Sequence, residues 1–298
     1  MKPTHHIETP AKLNIRLKVT GRRPDGYHDL VSIMVPIDLS DRMEIGIARE
    51  RGIEMTAEGF CVPTDESNLV SRAAQAFLSE TGLDCGVFIK LTKRIPVAAG
   101  MGGGSSDAAA VLYSLNELFG NPLSQEEVHE MAARLGADVP FFLYCRPSIA
   151  TGIGDILEPL PHWPESWYVV ITPRLEISTA WVYGHLKLEL TGHEYEHIID
   201  FLKKDSPAVS HLLENDLEKV TAGRYPVINI LKEALRDAGA EGVMMTGSGP
   251  TVFGLFSSRE EARSAKDHLH SKDLGHVFMA TDWKRPPLLE EIRYRSAD

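Results

Sequence analysis

Apolar and polar residues alternate along the first third of the chain, as they do in strands with one buried face. Four segments follow this pattern or are rich in β-branched residues: KLNIRLKVT, LVSIMVPIDL, RMEIGIA and GVFIKLTKRI. A turn-forming PDG sequence separates the first two of them. The first third of the chain is therefore predicted to be rich in β-structure.

The hydrophobic pattern then changes to the period of an α-helix. Three segments have this period: NLVSRAAQAFLSET, SSDAAAVLYSLNELF and SQEEVHEMAARLG. In the third, Ser124 followed by Glu127 predicts a capping box, and Gly136 predicts the end of the helix. Helices of this kind need a sheet to cover.

Pro and Trp become frequent around residues 156–167, and we interpret this segment as the junction between two domains, 1–160 and 161–298. The second half has strand patterns at YVVITP, at GVMMTGSGPTVFGLF as a pair, and at GHVFMATDW. Its helical patterns are STAWVYGHL, YEHIIDFLKK, HLLENDLEKV, VINILKEALRDAG and SREEARSAKDHLH. Strands and helices in this irregular order predict an α+β fold in both halves.

The charge of the chain restricts its partners. The formal net charge is -11, so no general affinity for nucleic acid or for an anionic membrane surface is expected. The three cysteines, Cys61, Cys85 and Cys145, are too scattered to predict a disulfide framework or a zinc site, and a cytoplasmic location is expected. No leader-like or membrane-spanning apolar run is present, and the sequence leaves a monomer and a homodimer equally open.

A glycine-rich segment, GMGGGSSD at 100–107, precedes the second predicted helix. Consecutive glycines can turn several backbone N–H groups to one side, and the start of a helix adds a positive dipole end, so the segment can bind phosphate. It matches neither the Walker A loop nor the dinucleotide-binding motif. A flexible turn, capped by Ser105 or Ser106 and followed by Asp107 in the first helical turn, explains the local residues equally well.

A second glycine cluster, MTGSGPTVF, lies between two predicted strands at 245–253. On its own it is a tight loop that joins the strands. Together with the first cluster, it can also close over the same triphosphate from the opposite side.

Three separated segments together resemble the motifs of the GHMP kinases: TPAKLNIRLKVTGRRPDGYHDL, PVAAGMGGGSSDAA with its trailing LGADVP, and MTGSGPTVFGLF. They occur in the same order, which a chance match of one motif does not produce. The resemblance implies a two-domain fold, with an N-terminal domain like domain 2 of ribosomal protein S5 and a ferredoxin-like C-terminal domain. It also implies an active site between the domains, ATP and Mg²⁺ as cofactors, and a diphosphocytidyl derivative of methylerythritol as the acceptor, in non-mevalonate isoprenoid synthesis.

The resemblance implies that Lys12 and Asp138 are the catalytic pair, as supporting cation and base. Lys12 lies inside a predicted apolar strand, where a lysine needs a partner. Asp138 follows a helix stop and precedes an apolar, strand-like run, an arrangement typical of a cleft edge. Without the resemblance, a structural salt bridge is the better explanation of the two residues.

The resemblance also implies a phosphate loop from Pro96 through Ser106, with Asp107 opening the helix. The implied ATP-binding residues are Asn68, Lys93, Pro96, Gly100, Met101, Gly102, Gly103, Gly104, Ser105, Ser106 and Asp107. Asn68 and Lys93 would lie at the adenosine end, but a helix cap and a solvated strand end explain them equally well. The sequence does not assign the magnesium ligands; Ser106 and Asp107 are both within reach.

On the acceptor side, the implied residues are Asn14, Tyr27, His28, Tyr183, Thr246, Gly247, Ser248 and Gly249. Tyr27 and His28 follow a turn and offer an aromatic face and a polar edge to a pyrimidine. Tyr183 is the second aromatic candidate, with Trp181 as the alternative if the register is shifted. Considered singly, Tyr27 and His28 are more typical of a packing pair in a turn.

Three alternatives stay open at this point. The family also contains mevalonate- and homoserine-type kinases, and some enzyme folds have become binding proteins without activity. HEYEH at 193–197 matches the zinc signature H-E-x-x-H through His193 and His197. Gly192 and the polar neighbours of that motif argue for an exposed first helical turn rather than a zinc hydrolase.

Overall fold

The computed structural model describes residues 3–187 and 208–289. Within these ranges the strands are β1 (Thr4–Arg22), β2 (His28–Ala48), β3 (Gly52–Gly59), β4 (Gly86–Lys93), β5 (Ser148–Thr151), β6 (Ile156–Pro159), β7 (Trp167–Thr172), β8 (Glu214–Asn215), β9 (Gly242–Met245), β10 (Val252–Phe256) and β11 (His276–Thr281). The α-helices are α1 (Leu69–Thr81), α2 (Gly103–Leu118), α3 (Gln125–Leu135), α4 (Val139–Tyr144), α5 (Thr179–Gly184), α6 (Asp216–Arg224), α7 (Val227–Asp237) and α8 (Arg259–His270). A 3₁₀ turn, Val209–Leu212, precedes β8.

The strands form two sheets. The first has the order β3-β4-β2-β1-β8, with β5 beside β2 and β6 beside β5. The second has the order β11-β7-β10-β9, in which the four strands are arranged as fourth, first, third and second along the chain. This order is that of a ferredoxin-like domain, so the two-domain α+β fold is confirmed.

The layers are stacked as helix, sheet, sheet and helix. Helices α1–α4 cover one face of the first sheet, around residues such as Phe77 and Ala109. On the opposite face, Leu13 and Ile33 pack against Tyr168 of the second sheet. Helices α5–α8 cover the outer face of the second sheet. Strands β1 and β2 of the first sheet and β7 and β10 of the second are therefore largely buried, whereas seven of the eight residues of the outer strand β3 are at least partly exposed.

The predicted strands are longer in the structure than in the sequence pattern. The segments LVSIMVPIDL and RMEIGIA are one continuous strand, β2, because Asp41 between them is fully buried and does not interrupt the sheet. The short strands β3, β5 and β6 were not predicted. Since β6 belongs to the first sheet, residues 160–166 connect the two sheets, and the domain boundary at 160/161 stays a prediction.

The expectation that an apolar strand follows Asp138 is wrong. Residues VPFFLY form the helix α4, with all six side chains buried and Pro140 in the first turn. A short apolar run has no period that separates a buried strand from a buried helix. Asp138 thus stands at the start of a helix.

The predicted helix HLLENDLEKV is also wrong in its first half. The structure has the 3₁₀ turn, then β8, and α6 begins only after Asn215, whose side chain accepts from the Leu217 N–H. The capping box of α3 is confirmed, with Ser124 Oγ accepting from the Glu127 N–H at 3.2 Å. The predicted helix YEHIIDFLKK and the motif HEYEH lie outside the described residues. Among the helices that are described, none could cross a membrane.

The second sheet is joined to the first by two seams. At one, Asn215 of β8, which pairs with β1 in the first sheet, donates through Nδ2 to the Met245 carbonyl of β9 in the second sheet at 2.7 Å. At the other, the Thr281 N–H donates to Asp38 at 2.9 Å, Ile37 forms an isolated bridge with Asp282, and the Trp283 N–H donates to the carbonyl of Pro36 at 2.9 Å. The two sheets are therefore connected by hydrogen bonds at both sides of their contact.

We expect the folded chain to lose stability as pH rises through the range in which Asp282, next to the second seam, titrates. Burial raises the pKa of Asp282 to about 6, although bonds from Ser166 and Tyr168 oppose the rise. A carboxyl with a higher pKa in the folded chain contributes stability below its unfolded pKa, and this contribution is lost as the pH passes about 6. Asp282→Asn, which resembles the protonated form, should therefore match the parent near pH ~4 and exceed it by up to about 3 kcal/mol above pH ~6.

Urea unfolding of both proteins across this pH range measures the difference. A stability difference that does not change with pH would contradict the expected titration of Asp282.

Candidate active site

Lys12 and Asp138 meet where the two halves of the molecule come together. Lys12 Nζ lies 3.3 Å from Asp138 Oδ2 and donates to Asn14 Oδ1 at 2.6 Å. Alternation along β1 buries Leu13 and Ile15 between the two sheets and turns Lys12 and Asn14 to the other face. The Lys12 side chain is 6% exposed and that of Asp138 is 36% exposed, so the carboxylate is the accessible member of the pair.

The phosphate loop ends where α2 begins. Gly102 precedes the helix with a φ of 70°, and no side chain caps the helix start. The first N–H groups of α2 are consequently available to an anion. The expected capping by Ser105 or Ser106 is wrong, since both residues lie within the helix.

The second glycine cluster lies against the phosphate loop. A Cβ placed on Gly100 would come within 2.7 Å of the Thr246 carbonyl oxygen and 3.1 Å of the Gly249 carbonyl oxygen. The Asn14 N–H donates to Thr246 Oγ1 at 2.9 Å, and Asn215 Nδ2 donates to the Gly247 carbonyl at 2.9 Å. The two glycine clusters, far apart in sequence, are therefore neighbours.

Two cavities share the phosphate loop. One of about 890 Å³ contains most of the residues expected on the acceptor side, together with the catalytic pair: Lys12, Asn14, Tyr27, His28, Asp138, Tyr183, Gly247 and Ser248. One of about 320 Å³ contains most of the expected ATP-binding residues: Asn68, Lys93, Pro96, Gly100, Met101, Gly102, Gly103, Gly104, Ser105 and Asp107. Both are lined by Gly100, Gly102 and Ser105, so a phosphoryl group at this junction can face either cavity.

Three expected residues line neither cavity. Thr246 is fully buried and Gly249 lies behind the loop, so both shape the loop rather than face the large cavity. Ser106 is buried on the inner side of α2. Their predicted contacts with ligand stay predictions, and the structure gives them a supporting position.

Asn68 caps helix α1, which the sequence analysis gave as the alternative to a role in ATP binding. Its Oδ1 accepts from the Val70 N–H at 3.0 Å, and its Nδ2 donates to the Pro63 carbonyl at 2.6 Å. The residue also lines the smaller cavity. The cap therefore holds Asn68 at the edge of the cavity on the nucleotide side.

Lys93 is not a solvated strand end. It is 4% exposed, and its ammonium contacts Asp41 and, at 2.7 Å, Asp107 Oδ2. Burial alone would lower the pKa of Lys93, but the charges of Asp107 and Asp41 outweigh it and raise the pKa. Lys93 is therefore a buried cation held between two carboxylates.

The sequence analysis expected Asp107 to open helix α2. In the structure the helix begins at Gly103, and Asp107 is its fifth residue. Its Oδ1 accepts from Thr9 Oγ1 at 2.6 Å and its Oδ2 accepts from Lys93. Burial raises the pKa of Asp107 to about 6, although Lys93 opposes the rise. Each carboxylate oxygen of Asp107 accepts a hydrogen bond from the protein, and the residue is buried, so Asp107 is a poorer fit for a magnesium ligand than an accessible carboxylate.

The described residues contain no group of three or more His, Cys, Asp or Glu arranged to hold a metal. Mg²⁺ in phosphoryl-transfer enzymes is usually held by one or two carboxylates, nucleotide phosphates and water, so such a cluster is not required for it.

An aromatic pair lines the larger cavity. The rings of His28 and Tyr183 lie 5.2 Å apart between centroids at 30°. Burial and the positive charge of Arg22 lower the pKa of His28, so its imidazole is neutral at pH ~7 and can both donate and accept. Burial and the Asp138 carboxylate raise the pKa of Tyr183, which keeps its hydroxyl protonated.

Tyr27 is 61% exposed at the rim of this cavity. Trp181, the alternative to Tyr183, stacks on His185 instead, with ring centroids 4.3 Å apart. Tyr183, which the sequence analysis preferred to Trp181, is therefore the one of the two that lines the larger cavity.

Four supporting residues were missed by the sequence: Thr9, Ser32, Asp41 and Asn215. Ser32 Oγ accepts from Asn14 Nδ2 at 2.8 Å and so fixes the orientation of that amide. Of these four residues, only Asp41 had a signal in the sequence, a carboxylate between two apolar strand segments. The other three are small polar residues without a pattern of their own.

Comparisons with known proteins agree with this arrangement. The family profile for the GHMP kinases N terminal domain matches residues 68–146, and the profile for the GHMP kinases C terminal domain matches residues 198–274. A protein named 4-diphosphocytidyl-2-C-methyl-D-erythritol kinase from Geobacter metallireducens is 50% identical over 87% of this chain and 92% of its own length. One of the same name from Syntrophotalea carbinolica is 45% identical over 90% of this chain and 95% of its own.

Solved structures show the same fold. A 4-(cytidine 5'-diphospho)-2C-methyl-D-erythritol kinase has a TM-score of 0.79 at 35% identity, over 93% of this chain and 98% of that chain. A homoserine kinase from Cytophaga hutchinsonii has a TM-score of 0.73 at 21% identity, over 95% of this chain and 96% of that chain, and supports the fold alone. The chain belongs to the GHMP kinase family.

Proposed function

We propose that the protein transfers the γ-phosphate of ATP to a hydroxyl of 4-diphosphocytidyl-2-C-methyl-D-erythritol, the substrate named in its relatives. One observation carries the proposal. The Lys12 ammonium lies between Asp138 and Asn14 in the cavity lined by the aromatic pair. This cavity shares Gly100, Gly102 and Ser105 with the one lined by the glycine-rich helix start. A nucleotide and a separate acceptor can therefore meet at one carboxylate.

The nucleotide occupies the smaller cavity in this proposal. Its triphosphate lies along the phosphate loop, where the uncapped N–H groups at the start of α2 and the helix dipole bind negative charge. This local device suits a protein with a net charge of -11, because a general positive surface is not needed. Mg²⁺, carried by the phosphates and water, would neutralise further charge on the triphosphate.

Asp138 acts as the base in this proposal. It accepts the proton of the acceptor hydroxyl while that oxygen attacks the γ-phosphorus, and the bond from this phosphorus to the oxygen of the departing ADP breaks. The Lys12 ammonium pairs with the Asp138 carboxylate and stabilises negative charge on the phosphoryl group. Asn14, oriented by Ser32, keeps Lys12 in place.

The aromatic pair favours a cytidine-containing acceptor over a small one. Tyr183 and His28 present a ring face and a neutral imidazole edge, which are the groups that bind a pyrimidine by stacking and hydrogen bonding. A cavity of about 890 Å³ is far larger than mevalonate or homoserine needs. A mevalonate- or homoserine-type activity is therefore the second candidate, supported by the fold alone.

A coupled ADP-release assay across a panel of acceptors tests this function. We expect turnover with the diphosphocytidyl acceptor and background rates with mevalonate and homoserine. Turnover of mevalonate without turnover of the cytidyl compound would overturn the proposed acceptor and leave a GHMP kinase activity. A monomer or homodimer in the cytoplasm, as predicted from the sequence, is compatible with the proposal.

A further inference from the structure

Four side chains form a buried hydrogen-bonded cluster behind the phosphate loop, which we name the Asp41 cluster: Thr9, Asp41, Lys93 and Asp107. Asp41 Oδ1 accepts from the backbone N–H groups of Arg94 at 2.5 Å and Ile95 at 2.8 Å, and its Oδ2 contacts Lys93 Nζ. Lys93 Nζ in turn donates to Asp107, and Asp107 accepts from Thr9. The chain of bonds is continuous from the Arg94 backbone to the Thr9 hydroxyl.

The cluster joins the two ends of the phosphate loop. Lys93 ends β4, and the two N–H groups held by Asp41 immediately precede the loop, which runs from Pro96 to Gly102. Asp107 lies one turn into α2, the helix that follows the loop. Thr9 extends the cluster to β1, three residues before Lys12.

Burial makes this connection rigid. Asp41 is 0% exposed, Asp107 is 1% exposed and Lys93 is 4% exposed, so water does not compete effectively for their bonds. A Cβ on Gly103 would lie only 2.9 Å from Lys93 Nζ, which places the ammonium directly under the first residue of α2. The first turn of the phosphate-binding helix therefore rests on a fixed cation.

We propose that Asp41 is a positioning residue for ATP. It holds both ends of the phosphate loop at the separation that the triphosphate requires. Lys93 and Asp107 act with it: both line the smaller cavity, but their charged atoms are bonded within the cluster. The proposal rests on the proposed ATP-dependent function. It gives Lys93 and Asp107, which the sequence analysis expected among the ATP-binding residues, a positioning role as well.

The number of hydrogen-bond donors around each carboxylate predicts different effects for two isosteric substitutions, Asp41→Asn and Asp107→Asn. Three donors converge on Asp41, so in Asp41→Asn the new amide NH₂ must face either Lys93 or the Arg94 and Ile95 N–H groups. In Asp107→Asn, the amide oxygen can accept from Lys93 while the NH₂ donates to Thr9, whose hydroxyl accepts as well as donates. Only the first substitution leaves donors facing each other.

The experiment measures binding of a non-hydrolysable ATP analogue by calorimetry, and urea unfolding, for the parent and its variants. We expect Asp41→Asn and Asp107→Ala to weaken binding by about tenfold or more, as displaced positioning groups do. Asp107→Asn should recover most of the loss caused by Asp107→Ala. The ratio of each variant's affinity for the ATP analogue to that of the parent should be the same with and without a saturating concentration of the acceptor.

Lys18→Met is the matched control. Lys18, on β1, also contacts two carboxylates, those of Glu214 at 2.6 Å and Asp216 at 3.0 Å. It lines neither of the two cavities. It should lose stability while keeping nucleotide binding within about twofold, since distant sites do not couple.

Normal nucleotide binding by folded Asp41→Asn overturns the inference, and so does equal weakening in Lys18→Met. If Asp41→Asn does not fold, the Asp107 pair decides, and equal affinity of Asp107→Ala and Asp107→Asn overturns it. A parent protein that does not bind the ATP analogue at all would instead refute the proposed function.

Discussion

Asp138→Asn is expected to bind ATP normally and to lose turnover by about 100-fold or more, the range that removal of a general base produces. The amide keeps the shape of the side chain but cannot accept the proton of the acceptor hydroxyl at pH ~7. Lys12 keeps its bond to Asn14 at 2.6 Å, so the position of the cation should change little. Single-turnover measurements with saturating ATP and acceptor isolate this step from product release.

Asp155→Asn is the control for that substitution. Asp155 lies next to the same cavity, where its carboxylate accepts from the Ile153 N–H at 3.2 Å, and its loss removes the same charge. Turnover should stay within about twofold, as for most surface substitutions. Equal losses in both variants, or near-normal turnover in Asp138→Asn, would remove Asp138 from the role of base.

Gly100→Ala is expected to lower turnover by about 100-fold, because it separates the two glycine clusters. The φ of Gly100 is 76°, and its new Cβ would come within 2.7 Å of the Thr246 carbonyl oxygen. Real Cβ atoms do not approach a carbonyl oxygen so closely, so one of the two loops must move. That movement displaces the wall shared by both cavities.

Gly120→Ala separates this effect from backbone strain. Gly120 has a φ of 78°, and a Cβ there meets no atom within 4 Å. Both variants should lose about 1–2 kcal/mol of stability from the left-handed conformation. Only Gly100→Ala should lose turnover. Loss of turnover in Gly120→Ala to the same degree would show that stability alone explains the result.

Much of the fold could be predicted because its helices carry their own signals. The capping box at Ser124 gave the start of α3 to the residue, and the small residues Ala108–Ala110 matched a buried helix. Tertiary context decided the rest. Residues VPFFLY are uniformly apolar, and no local pattern distinguishes the buried helix that they form from a strand.

The site was predictable only in part, for a related reason. The resemblance placed Lys12 beside Asp138, and the structure puts their charged atoms 3.3 Å apart. The resemblance could not reveal that Lys93 forms an ion pair with Asp41, because these residues are on different strands and their contact depends on the register of β2 against β4. A charged residue in a sequence motif can support a loop as well as bind its ligand.

The two seams between the sheets have a thermodynamic consequence. Because Asn215 of β8 donates to Met245 of β9 and Asp38 accepts from Thr281, the walls of the cleft are brought together when the chain folds. The conformational entropy of assembling the cleft is then lost during folding and not at every turnover. Substrates then bind in a cleft whose two walls are already joined by hydrogen bonds, past surface segments such as residues 23–27 and 96–99.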